Sequence, residues 1–193
     1  MDLTQAEVLV KIATLLNQYK IPYMLTGAWN VIYFGRPRAS HDIDFIVEIH
    51  PKNITQVERV LENLSEEFQY QKEAMRNAVK HKSMFNVVYL PVFIKLDFWL
   101  LKDDDFDTSR FSRRKTIQFL KHKVTLATVE DTILQKLRWH KQAQIEKHLI
   151  DAAFVFQIQN KNLDTNYLIN WAKKLDVLEE LKKLSRIDLN QYI

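Results

Sequence analysis

The chain of 193 residues contains no cysteine, two glycines and four prolines. Without thiols there can be no disulfide, no thiolate metal site and no cysteine nucleophile. So few glycines and prolines exclude collagen-like, linker-like and low-complexity architectures. No apolar run approaches the ~18 residues needed to cross a bilayer. Asp2 and Glu7 interrupt the N-terminus where a secretory leader would carry its basic and then apolar segments, so a cytoplasmic location and no membrane partner are expected. Hydrophobic residues make up 47% and charged residues 27%, which describes a folded chain with a proper core. Lysine and arginine exceed aspartate and glutamate by 28 to 24, a mild basic excess compatible with a polyanionic partner.

Because glycine is scarce, its placement carries information. Gly27 follows the short apolar strand Tyr23-Met24-Leu25 and opens a second helix, which Gly35 closes. The loop Arg36-Pro37-Arg38-Ala39-Ser40 leads into a strand over Asp42–Ile49. Side chains alternate along a strand, so Asp42 and Asp44 project to one face while Ile43 turns to the core. A third acid, Asp97, stands inside the apolar strand Phe93–Leu101, where an unpaired carboxylate would be costly; Lys95 or an arginine could satisfy it. Three such carboxylates make a hard-oxygen set suited to Mg²⁺, and paired divalent ions are a common device for in-line displacement at phosphorus. Gly27, Ala28 and the following amides would form a helix N-terminus that attracts phosphate. Arg36 and Arg38 carry guanidinium forks that match phosphate oxygens. Phosphoryl or nucleotidyl transfer is the chemistry this set suggests. His41 belongs to the opposite strand face from Asp42 and is read as structural. The run Asp103-Asp104-Asp105 is read as a solvated loop.

Elsewhere the pattern predicts a helix over Leu3–Tyr19, a helix over Ile54–Phe68, and strands near Met84–Leu90, Lys115–Leu120 and Val124–Leu126. From Thr128 onward there is neither glycine nor proline. Helices are expected over Val129–His140 with Thr128 as cap, then over Ile145–Gln157, Asp164–Lys174 and Val177–Leu184. The division expected is an α/β unit over residues 1–126 and a helical unit over 127–193. Between Asp107 and Glu130 there is no acid, while Arg110, Arg113, Arg114 and Lys115 cluster with Phe111 and Phe119 between and beyond them. Such a stretch is a candidate nucleic-acid surface, since cations neutralise backbone phosphates and aromatics stack on bases.

Gly27-Ala28, the arginine loop, Asp42-Ile43-Asp44 and Asp97 together resemble the DNA polymerase β-like nucleotidyltransferases, whose signature is a Gly-Gly or Gly-Ser turn, an Asp-x-Asp/Glu pair on one strand and a third acid on another. The run TGAWNVIYFGRPRASHDIDFIVE is similar to minimal nucleotidyltransferases related to the AbiE-type toxins. Ala28 departs from that signature and brings no hydroxyl. The resemblance implies a mixed sheet flanked by helices, an α/β (α+β) fold, followed by a small helical bundle that closes a nucleotide cleft. It also implies transfer of a nucleoside monophosphate from an NTP to an acceptor hydroxyl or phosphate, with two Mg²⁺ (or Mn²⁺) ions on Asp42, Asp44 and Asp97. Lys136 and Asp151 fall where relatives carry a nucleotide-binding lysine and a helix-borne aspartate. RNA, tRNA in particular, is the acceptor such relatives suggest, and an antitoxin protein the partner. The competing readings are transfer to a small metabolite or drug, a non-catalytic nucleotide or RNA binder, and a two-metal nuclease, which would not explain the glycine turn.

Overall fold

A computed structural model describes residues 2–192. The chain divides into two compact units, Met1–Ala28 with Ser40–Ala127, and Trp29–Ala39 with Thr128–Ile193. The expected α/β architecture, with a mixed sheet flanked by helices and a helical C-terminal region, is the one observed.

The first unit is built on seven strands: β1 (Tyr23–Thr26), β2 (Asp42–Val47), β3 (Phe68–Tyr70), β4 (Met84–Tyr89), β5 (Ile94–Leu100), β6 (Lys115–Phe119) and β7 (His122–Leu126), in the spatial order β3-β4-β5-β2-β1-β7-β6. The β2–β5 and β1–β7 pairs are parallel and the other four antiparallel. Alternation along β2 and β5 puts Ile43, Phe45 and Val47 beside Leu96, Phe98 and Leu100 on one face. There the Phe45, Phe98 and Phe85 rings stack in sequence, with centroids 5.4 and 4.9 Å apart, and Tyr23 meets Phe45 edge-on at 5.9 Å. Each such aromatic pair adds roughly 0.5–1.5 kcal/mol beyond burial, so the strands bearing the acids are anchored from beneath. On the opposite face Met24 and Ile46 form a small apolar cluster with Phe111 and Ala127.

Helix α1 (Gln5–Gln18) begins with a reciprocal cap between Thr4 and Glu7 and buries Val8, Leu9, Ile12, Ala13 and Leu16. The helix expected over 54–68 is shorter: α3 spans Ile54–Glu62 and ends at Asn63, whose side-chain amide donates to the Arg59 carbonyl and to the Tyr19 hydroxyl. Phe68 belongs instead to β3, where it pairs with Tyr89. Helix α4 (Lys72–His81) was not expected; its polar sequence buries only Met75, Ala78 and Val79, one narrow stripe at helical spacing. A further unexpected helix, α5 (Asp105–Ser112), replaces the predicted solvated acidic loop: the Asp104 carboxylate accepts from the Asp107 amide, so this acid is a helix cap.

In the second unit, α6 (Val129–Ala143) is capped by Thr128, whose hydroxyl accepts from the Asp131 amide and donates to the Asp131 carboxylate at 2.6 Å. It is followed by α7 (Glu146–Gln159), α8 (Thr165–Lys174) and α9 (Leu178–Lys183). Helix α2 (Gly27–Phe34) contributes its Trp29–Phe34 portion to this unit. Two contacts explain the grouping. Asn30 donates to the Thr132 hydroxyl at 3.1 Å. At Gly35 an added Cβ would lie 3.2 Å from Val155 Cγ2 and 2.9 Å from the Val31 carbonyl, so this glycine permits a close approach to α7.

Candidate active site

β1 ends at Thr26, paired with Asp44, and the chain then turns sharply through Gly27. Gly27 has φ +67°, in the left-handed region that side chains with a Cβ disfavour. A Cβ on it would also stand 2.0 Å from Asp44 Oδ2. Glycine is thus required here twice, by conformation and by the carboxylate against its Cα. Ala28, buried, follows at the start of α2.

The parallel register of β2 and β5 aligns Asp42 with Lys95 and Asp44 with Asp97. Aligned residues on parallel strands share a face and lie about 4.8 Å apart. The three expected acids are therefore brought together on one sheet face with Lys95, Asp42 exposed, Asp44 half-buried and Asp97 6% exposed. Trp99, two residues beyond Asp97 on the same face, donates from its indole to Asp44 Oδ1 at 3.4 Å. Lys95 Nζ donates to Asp97 Oδ2 at 2.8 Å. This hydrogen bond, with the charge of Asp97 and then of Asp42 and Asp44, holds the Lys95 ammonium above its ordinary pKa against the opposing effect of burial. Asp97 Oδ1 is buried and makes no hydrogen bond. A buried carboxylate oxygen without a donor is costly, and a cation coordinated there would remove the cost. Among the described residues no three acids or histidines are already gathered around one point. The donor set is nonetheless all hard oxygen, open at the Asp42 end, with one buried oxygen lacking a partner, and it fits a divalent ion such as Mg²⁺. Lys95 was foreseen only as a partner for Asp97. Its i−2 spacing on a strand was the signal that it shares the face of all three acids.

The remaining candidate residues divide between the units. In the second, Asp151 on α7 is 1% exposed and its Oδ2 accepts from Arg38 Nη2 at 3.0 Å and from Lys136 Nζ at 2.9 Å. Lys136 itself is only 3% exposed. The three form a buried cluster of two cations on one carboxylate. His148, partly desolvated and beside the Lys136 charge, has its pKa lowered to about 4. Arg36 lies over the Phe154 ring at 4.0 Å and donates to the Tyr192 carbonyl.

In the first unit, the basic stretch is less open than its sequence suggests. Arg110 is 5% exposed and its guanidinium is paired with Asp107 at 2.6 Å within α5. Phe111 is buried in the Met24 cluster, which removes it as a stacking platform. Arg114 lies against the Phe111 ring at 4.1 Å. Arg113 and Arg114 are half-buried, and Lys115 is exposed.

A seven-stranded mixed sheet that sets a glycine turn against an Asp-x-Asp strand and a third strand-borne acid is the arrangement expected from the resemblance to nucleotidyltransferases. Solved structures bear this out at the level of fold. An antigenic nucleotidyltransferase-like protein from Paracoccidioides brasiliensis is similar at TM-score 0.68 and 16% identity, over 96% of this chain and 90% of that one. ANT(2")-Ia, in complex with adenylyl-2"-tobramycin, matches at 0.57 and 14% over 95% and 99%. The lincosamide antibiotic adenylyltransferase LnuA, lincomycin-bound, matches at 0.54 and 16% over 82% and 99%. No curated protein matches in sequence. Residues 24–187 match the family model of the nucleotidyl transferase AbiEii toxin of type IV toxin–antitoxin systems, and the chain belongs to that family.

Proposed function

We propose that this nucleotidyltransferase moves a nucleoside monophosphate from an NTP to an RNA acceptor, with Asp42, Asp44 and Asp97 as its divalent-metal ligands. The observation that carries the reading is the side-by-side register of Asp44 and Asp97 beneath the Gly27 turn, with Asp97 Oδ1 buried and unpaired. Two Mg²⁺ ions, or Mn²⁺ in their place, would supply Lewis acidity to the α-phosphate and charge neutralisation for the departing pyrophosphate. The acceptor oxygen attacks the α-phosphorus as the bond to the β-phosphate breaks, and Asp97 takes up the acceptor's proton on its way to solvent. The amides of Gly27 and Ala28 hold a phosphate oxygen by backbone N–H groups, which need no hydroxyl at position 28. Positioning and charge compensation account for most of phosphoryl-transfer catalysis, and these groups provide both.

Arg38 and Lys136, both held on Asp151, are the cations we assign to the nucleotide's phosphates. Arg36 serves to fix the loop rather than to contact nucleotide, given its contacts with Phe154 and Tyr192. The helical region 127–193 is the part we assign to nucleotide retention. For the acceptor, Arg113, Arg114 and Lys115 are the residues we assign to RNA phosphates, with Arg110 acting through its ion pair as a brace for α5. The type IV toxin–antitoxin family supports an antitoxin protein as partner. No described helix is long and apolar enough to cross a membrane, and NTP and RNA as substrates fit action in the cytoplasm.

The test is incubation of the purified protein with each labelled NTP, Mg²⁺ and either cellular RNA or a small-molecule extract. Label should enter RNA. Replacing Arg113, Arg114 and Lys115 together with alanine should weaken RNA labelling, flatten its dependence on salt and leave NTP affinity unchanged. Label entering a small hydroxylated molecule, as with the antibiotic-modifying structures of the same fold, and indifferent to the triple substitution, would replace RNA by a small-molecule acceptor.

A further inference from the structure

Four side chains occupy neighbouring positions on the acid-bearing face: Asp42 and Asp44 on β2, Lys95 and Asp97 on β5. Lys95 Nζ has taken Asp97 Oδ2 at 2.8 Å. Asp97 is embedded, its side chain 8% exposed, whereas the Lys95 side chain is 40% exposed on a flexible four-carbon stem. The carboxylate is thus held in place while its cation is free to leave toward solvent. Three carboxylates against one ammonium leave a formal charge of minus two, which one divalent ion balances and a second would overshoot until a triphosphate arrives.

We propose that Lys95 is a built-in competitor of the divalent ion at Asp97, occupying one carboxylate oxygen in the substrate-free enzyme and giving it up when the nucleotide brings its own charge. The lysine lessens the repulsion among the acids before metal binds, and it keeps the ion at Asp97 weakly held without nucleotide. While it is bound it fixes Asp97 through Oδ2, and Oδ1 is buried without a hydrogen bond. Lys95 is therefore a positioning residue: it acts through Asp97. This inference rests on the metal-dependent reading above, and its test reads metal binding and not turnover.

Mn²⁺ is titrated into the full-length chain without nucleotide and followed by electron paramagnetic resonance, for the wild type, Lys95→Met and Lys95→Gln. Loss of a positive charge hydrogen-bonded to a ligand carboxylate should tighten Mn²⁺ binding at least tenfold in both variants. Their metal-free melting temperatures should fall and recover when Mn²⁺ is added. Equal or weaker Mn²⁺ affinity in the variants, with wild-type binding intact, overturns the role of Lys95 alone. Absence of Mn²⁺ binding in all three proteins overturns the metal reading together with it. If both variants fail to fold, the ζ-ammonium signal of Lys95 in the ¹⁵N-lysine-labelled wild type decides: it should move as Mg²⁺ is added, and an unmoved signal at saturating Mg²⁺ overturns the proposal.

Discussion

Replacing Gly27 by alanine tests the link between the turn and the acids most directly. The new Cβ would start 2.0 Å from Asp44 Oδ2, and ordinary contact begins at 3.4 Å, so about 1.4 Å of displacement is demanded. The carboxylate is the softer partner, because β1 and β2 are tied through four paired positions, Tyr23 with Val47 to Thr26 with Asp44. Asp44 should therefore rotate away. A misplacement of about 1 Å at a reacting centre costs on the order of 10²-fold in rate, equivalent to about 2.7 kcal/mol of transition-state stabilisation. Placing a Cβ at φ +67° adds roughly 1–2 kcal/mol of backbone strain, which in a chain of this size lowers the melting temperature by about 2–8 °C. Pyrophosphate release under saturating NTP gives the rate, and calorimetry gives the melt. The expected variant is folded at 25 °C, modestly destabilised, and at least a hundredfold slower. A variant that turns over at the wild-type rate would refute the argument that the turn holds Asp44 in place.

Three further outcomes follow from the same geometry. Asp42→Asn and Asp44→Asn should each abolish transfer without lowering the metal-free melting temperature, since either change relieves repulsion on the acid face; pyrophosphate release and calorimetry read the two effects, and retained turnover in either would remove that acid from the metal set. Lys136→Ala should destabilise the protein by about 3 kcal/mol, the low end of the range for an uncompensated buried charge because Arg38 still donates to Asp151; Lys136→Ala combined with Asp151→Asn should recover part of that loss in urea unfolding. His148 has a folded pKa of about 4 against about 6.5 when unfolded, so the unfolded chain binds its proton first on acidification. Its contribution is complete above pH 6.5 and is lost as pH falls toward 4; urea midpoints across that window should decline less steeply in His148→Gln.

The acid strand, the glycine turn and Asp97 were legible because period-2 alternation is a local property: Asp-Ile-Asp on any strand puts two carboxylates on one face. The helices after Thr128 were legible for a similar reason, their apolar residues recurring at helical spacing without a breaker. Two kinds of feature escaped. Helix α4 buries just three small or flexible side chains, too thin a stripe to stand out within KEAMRNAVKH, and Phe68 continues the apolar spacing of α3 although its ring is claimed by Tyr89 of the neighbouring strand. The acids before α5 have the composition of a solvated loop, and only the bond from the Asp107 amide makes Asp104 a cap.

The sequence by itself determined which residues could be chemical, since residue type and strand or helix period are written into adjacent positions. What the tertiary structure alone decided is which charges meet. Register between β2 and β5, strands separated by about fifty residues of chain, sets Lys95 opposite Asp42 and Asp44 opposite Asp97. Packing of α6 with α7 sinks Lys136 and Asp151 into one buried pair with Arg38, and the fold of α5 withdraws Arg110 and Phe111 from a stretch that reads as an open basic surface. An ion pair depends on distance and burial, and neither is a property of the sequence until long-range pairing has been chosen.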